Sequence, residues 1–190
     1  MKQPTADTVI DYIAEIFERR GAEAYLGDAV TMSEHMLQSA ANAEAVGAPP
    51  AEIAAALLHD VGHFSGEFPE DMVLAGTDNH HDQMGARILK PFFPASLVEP
   101  VRLHVAAKRY LCTVQEPYYG RLSEASKETF RLQGGQMSKS EVERFEAEPH
   151  GAAAVRVRKW DDAGKGVGTT THPFQHYLPL LRALLVNGRA

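Results

Sequence analysis

Residues 57–63 read Leu-Leu-His-Asp-Val-Gly-His, a short stretch dense in side chains that could ligate a metal. An apolar stretch, 51–58, delivers the adjacent pair His59 and Asp60, followed by His63. Imidazole nitrogen combined with carboxylate oxygen suits a borderline first-row metal such as iron, zinc or manganese. Neighbouring residues on a helix point about 100° apart. His59 and Asp60 therefore reach one metal only at a helix end, or with Asp60 leaning toward a second metal, which makes Asp60 a candidate bridge. Further ligands must come from other segments: His35, His80 or His81, His104, and Asp161 or Asp162. Helices that each offer one inward ligand are how all-α proteins build metal centres. A single helical histidine is ordinarily a core or surface residue, and it is the order H…HD…H…H…D that gives these candidates weight.

The elements that must position them read as helices throughout. Residues 8–20 carry Val9, Ile10, Ile13, Ile16 and Phe17 at helical spacing, and Gly21 ends that run. Residues 21–32 read as a loop, and 33–46 as a helix with His35 in its first turn. Pro49 and Pro50 suit the start of a third helix, 50–59, which ends at the His-Asp pair. Residues 64–79 read as a loop. Residues 82–89 form a helix with His81 at its start. The helix at 97–111 places Lys108 four residues after His104, hence on the same face. Further helices are expected at 122–132, at 138–147 behind a Ser138-x-x-Glu141 capping box, at 151–160 and at 174–186, with a glycine-rich loop at 163–171. No segment alternates with period two, so the fold class is all-α, and 1–190 reads as one domain.

Composition narrows the function. With 19 basic and 25 acidic residues the formal net charge is −6, which argues against a nucleic-acid backbone as partner. No apolar run approaches a membrane span, and residues 1–13 lack a signal-peptide apolar region. The one cysteine, Cys112, permits no internal disulfide and fits a reducing cytoplasm; it reads as a small buried apolar residue. His150, His172 and His176 belong to no ligand pattern and read as ordinary.

His35, His59-Asp60 and Asp161 resemble the H…HD…D pattern of the HD-domain superfamily, an all-helical metal-binding group. His81 and His104 resemble the extra pair of members that hold two metals. His81 is preferred to His80 because His81-Asp-Gln-Met-Gly-Ala86 resembles the helix start of that branch. Closer likeness lies in Tyr25-Leu-Gly-Asp28, His104-Val-Ala-Ala-Lys108-Arg-Tyr-Leu, Leu122-Ser-Glu-Ala-Ser126, Gln133-Gly-Gly and Trp160-Asp161-x-x-Gly-Lys165. These resemble the HD-type mixed-valent di-iron oxygenases of organophosphonate breakdown, over roughly residues 25–177.

The resemblance implies a helical bundle around two irons, Fe(II) and Fe(III) in the active form. His35, His59, Asp60 and Asp161 would hold one metal; His81, His104 and the bridging Asp60 would hold the other. It implies O2-dependent cleavage of the carbon–phosphorus bond of a 1-hydroxy-2-aminoethylphosphonate-type substrate. Asp60, Lys108 and His63 would serve catalysis, while His63, Lys108, Ser126 and Arg158 would contact the phosphonate. Tyr25 and Asp28 would meet the amine end. The family's primary-amine enzyme has glutamate where this chain has Asp28. The shorter aspartate leaves room for a bulky cation, and Tyr25 offers an aromatic face to a quaternary ammonium. The preferred substrate is therefore (1R)-1-hydroxy-2-(trimethylammonio)ethylphosphonate, giving glycine betaine and phosphate. The primary-amine analogue, giving glycine, is the alternative. A metal-dependent phosphohydrolase needs only the first four ligands, and a non-catalytic metal-stabilised module needs no cationic pocket.

Overall fold

The structure is a computed structural model and describes residues 4–19, 29–64, 78 and 80–186. All its regular elements are helical, and no strand occurs among the described residues. Helix α1 spans Val9–Arg19 and buries Val9, Ile13 and Ile16. Helix α2, Met32–Ala45, starts from a capping box: the Thr31 hydroxyl accepts from Glu34 N–H while Thr31 N–H donates to Glu34 Oε2 at 2.7 Å. Helix α3, Pro50–Leu58, opens on a proline, whose missing N–H costs nothing in the first turn. From Glu52 to Leu58 every residue of α3 is buried, as its nearly unbroken apolar run requires. A 3-10 helix, Val61–Phe64, follows.

Helix α4 spans His81–Leu89 and α5 spans Ala95–Val114. Then come α6 (Tyr118–Arg121), α7 (Glu124–Leu132) and α8 (Lys139–Glu146). Helix α9 spans Gly151–Ala163; a second 3-10 helix, Phe174–Tyr177, leads into α10, Leu178–Ala183. Helix α5 packs along α9, α4 and α3, while α2 packs on α3 and α9. The main core runs through this bundle, from Val9 and Ile13 through α3 to Val101, Val157 and Leu181. The C-terminal segment closes over α1 through a Phe17–Phe174 stack at 4.4 Å. No helix of the described residues is long and apolar enough to cross a membrane.

Among the differences from expectation, three have a clear local reason. The 122–132 helix is shorter, because the Ser123 side chain accepts from Ser126 N–H and caps α7. The closing helix breaks into a 3-10 turn and α10 at Pro179, which has no N–H to continue the ladder. Helix α9 runs three residues past Trp160, so Arg158, Asp161 and Asp162 share one helical face at i, i+3 and i+4.

Candidate metal centre and substrate cleft

Five elements deliver the ligand candidates to one buried point. His35 lies in the first turn of α2, and His59 is the C-cap of α3. Asp60 follows immediately, so the pair sits at a helix end, where adjacent residues can converge. His81 opens α4, His104 lies in the middle of α5, and Asp161 is in the last turn of α9. All six are buried: His35 and His59 fully, the others to within 1–8%.

The donor atoms form two groups that share Asp60. In the first, His35 Nε2 and His59 Nε2 are 3.0 Å apart. Asp161 Oδ1 lies 3.3 Å from His35 Nε2. Asp60 Oδ2 lies 3.3 Å from His59 Nε2 and 3.6 Å from His35 Nε2. In the second, His81 Nε2 and His104 Nε2 are 3.1 Å apart. Asp60 Oδ1 lies 3.4 Å from the former and 3.6 Å from the latter. Two donors held about 2.1 Å from one metal stand about 3.0–3.4 Å apart, so both groups are pre-spaced for an ion.

Protonation makes the same point. His35 Nδ1 faces the Gly164 carbonyl at 3.0 Å, and His59 Nδ1 faces the Ala56 carbonyl at 2.8 Å. A carbonyl only accepts, so each Nδ1 donates to it and each Nε2 is left facing the cluster. Two Nε2 atoms 3.0 Å apart beside two carboxylates call for positive charge between them, a shared proton or a metal ion. Asp60 Oδ2 and Asp161 Oδ1 are buried with no hydrogen-bond partner among the described residues, which a cation would also correct. Burial opposes protonation of His59, yet Asp60 and Asp161 raise its pKa to about 9. Burial likewise opposes ionisation of the carboxylates, but His59 holds Asp60 well below the usual range and Arg158 does so for Asp161. Burial, then the neighbouring His59, lowers His104 to about 4. The donor set is nitrogen-rich and fits first-row metals better than magnesium or calcium.

His80 and His81 point opposite ways. His80 caps α4 in the left-handed region at φ +48°, and its side chain is 65% exposed beside Asp78. That turn sends His81 inward. Gly62 lets the 3-10 helix approach α4: a Cβ there would stand 1.9 Å from the His81 carbonyl oxygen. The close approach stacks His63 on His81 at 4.1 Å and puts His63 Nε2 3.8 Å from Asp60 Oδ1.

A cleft opens over the second group, lined among others by His63, Lys108, Ser126, Gln133, Arg158 and Lys165. Lys108 is 3% exposed and donates to Thr129 Oγ1 at 2.8 Å. Burial, then the nearby Arg158 charge, lowers its pKa to about 7; an anion beside it would favour the charged form. Arg158 spends its fork on the protein: one terminal nitrogen meets Asp161 Oδ2 at 2.6 Å, the other meets Asp162. Asp162 also accepts from the Tyr118 hydroxyl. The Arg158 Nε is buried and has no hydrogen-bond partner among the described residues.

The sequence marks Lys165 only as part of the Trp160-Asp161-x-x-Gly-Lys165 motif, yet it lines the cleft and donates to Ser126 Oγ at 3.0 Å and Ser123 Oγ at 3.2 Å. Its signal was its place four residues after Asp161. Gln133, whose buried Oε1 has no hydrogen-bond partner among the described residues, is legible in the sequence only as part of the Gln-Gly-Gly motif. Tyr25 and Asp28 lie outside the described residues. Helix α2, near Asp28 in sequence, is capped by Thr31 and Glu34.

Residues 32–139 match the family described as HD domain. The chain is 45% identical over 177 residues to the [1-hydroxy-2-(trimethylamino)ethyl]phosphonate dioxygenase (glycine-betaine-forming) of Leisingera caerulea, covering 93% of this chain and 90% of that protein. It is 41% identical over 164 residues to the hydroxymethylphosphonate dioxygenase of Gimesia maris, covering 86% and 81%. With its ligand order, its helical bundle and these matches, the chain belongs to the HD-domain family.

Proposed function

We propose that this chain is a di-iron oxygenase that cleaves the carbon–phosphorus bond of (1R)-1-hydroxy-2-(trimethylammonio)ethylphosphonate, forming glycine betaine and phosphate. The observation that carries this reading is the split of Asp60, one oxygen toward His35 and His59 and the other toward His81 and His104. A phosphohydrolase built on the first group leaves the second pair and the cationic cleft without a task. The likeness to the glycine-betaine-forming relative, and Asp28 in place of glutamate, support the trimethylated substrate. The products carry two more oxygen atoms than the substrate, so one O2 balances the reaction without an external reductant.

His35, His59, Asp60 and Asp161 would hold one iron; His81, His104 and Asp60 the other. The iron pair, mixed-valent when active, supplies the electron transfer to and from O2. The chain supplies position and charge. Lys108, Lys165 and Ser126 bind the phosphonate oxygens from the cleft wall, with Arg158 Nε as a further donor. Arg158 also orients Asp161 through its fork. His63, beside Asp60, contacts the substrate at its C1 end. Tyr25 and Asp28 meet the ammonium end. A core that joins Val9 to Leu181 supports one domain over 1–190. A charge of −6 and one cysteine support a cytoplasmic enzyme with small-molecule partners.

The test is anaerobic iron loading followed by O2, with the trimethylammonio substrate, its primary-amine analogue and hydroxymethylphosphonate side by side. The expected result is matched O2 uptake and phosphate release, fastest with the trimethylammonio compound. His81→Ala should cut turnover by at least about 100-fold and lower the bound iron, whereas His80→Ala should change neither. Phosphate release without O2 consumption would refute an oxygenase. Equal turnover of all three would refute the substrate assignment alone.

A further inference from the structure

Two histidines with no role in the cleft come together on the opposite end of α2. His172 precedes the second 3-10 helix and His176 lies within it, and their rings stack with centroids 4.0 Å apart. His176 Nε2 lies 2.9 Å from Glu44 Oε1. The Tyr177 hydroxyl donates to Glu44 Oε2 at 3.4 Å, which leaves Oε1 turned toward the imidazoles. One donor atom from each of Glu44, His172 and His176 lies within 4.8 Å of the others. None of these residues lines the cleft.

The chemistry of this trio is specific. Two imidazoles and one carboxylate suit zinc, copper or nickel; magnesium and calcium prefer oxygen-only shells. The location adds a second reason. Glu44 occupies the last turn of α2, where the helix dipole is negative and no basic residue stands. A carboxylate alone is disfavoured there, and a cation is favoured. The side chains of His176 and Glu44 are 37% and 40% exposed, so an ion has access and water can complete its shell. A plain exposed histidine–carboxylate pair would stabilise little and would not need the second ring.

The geometry points to a surface site for a divalent borderline metal, zinc foremost, held by Glu44, His172 and His176. Its effect is to fasten the segment 172–177 to the end of α2. That segment carries Phe174 and Tyr177, which are buried against the core. Binding there raises the stability of the closed C-terminal segment through mass action.

The experiment titrates the iron-loaded protein with zinc, desalts it, and counts zinc and iron per chain. The parent should retain one zinc while keeping its iron, and its melting temperature should rise with zinc. His172→Ala and Glu44→Gln should bind that zinc at least about tenfold more weakly and should lose the zinc-dependent rise. Both are exposed positions, so melting without added zinc checks that the variants fold. Equal zinc affinity in parent and variants would overturn the proposal, as would zinc gained only in exchange for iron.

Discussion

His35, His59 and His104 are each aimed by the ring nitrogen that faces away from the cluster. Their Nδ1 atoms sit 2.7–3.0 Å from main-chain carbonyls, which sets the tautomer and leaves Nε2 for the centre. Arg158 is held the same way, by two carboxylates and, through Asp162, by Tyr118. It therefore positions Asp161 as well as facing the cleft. Cys112 shows burial prevailing over the opposing charges of Arg158 and Lys108 on a titratable group. It is buried against Tyr118 and Phe130, and burial pushes its thiol from 9.0 up to about 11. Its folded pKa lies above the unfolded value. The contribution of the neutral thiol is thus complete below the unfolded value and is lost as pH rises through about 11. The thiol of the folded protein should resist alkylation around pH 8, near the ordinary thiol value, and react only after denaturation. Equal labelling of folded and unfolded protein would contradict this placement.

At the scale of elements, the centre depends on where helices stop. Helix α3 ends at Leu58, which frees His59 and Asp60 to converge on one point. Helix α9 continues to Ala163 and so carries Asp161 in its final turn. The contact between the first 3-10 helix and α4 is the tightest of these junctions, because Gly62 abuts main-chain atoms of His81 and Gly85. Backbone cannot swing aside as a side chain can, so Gly62→Ala should cost about 1–3 kcal/mol and displace His81. Thermal melting and metal content measured together check this. A variant with parental stability and full metal content would show that the junction has slack.

At the scale of the molecule, five elements from separate parts of the chain meet at two carboxylates and four imidazoles that carry little solvent contact. A cation held there would link them, and its removal would weaken all five together. For ligand at about 100-fold above its dissociation constant, the linked stabilisation is about 2.7 kcal/mol. In a domain of this size that corresponds to a fall of roughly 5–11 °C in melting temperature on chelation, restored on reloading. An unchanged melting temperature would mean that the bundle does not depend on its centre.

The sequence by itself determined the helical class, the ligand types and their order, and the pairing of His59 with Asp60. Those features are local: they rest on helical periodicity, on proline and glycine breaks, and on adjacent residues. Spacing alone left His80 and His81 as alternatives. The left-handed turn at His80 separates them, and it depends on how α4 packs against the 3-10 helix. The resemblance assigns Arg158 to the phosphonate, but the extra turn of α9 brings Asp161 and Asp162 onto its fork. Lys165 gained a place in the cleft only because the loop after α9 returns its side chain to Ser123 and Ser126. His172 and His176 look ordinary in the chain, and become a cluster only when the last 3-10 helix lies against α2. Contacts such as Lys165–Ser126 and His176–Glu44 join residues far apart in sequence, and it is packing, not local propensity, that decides them.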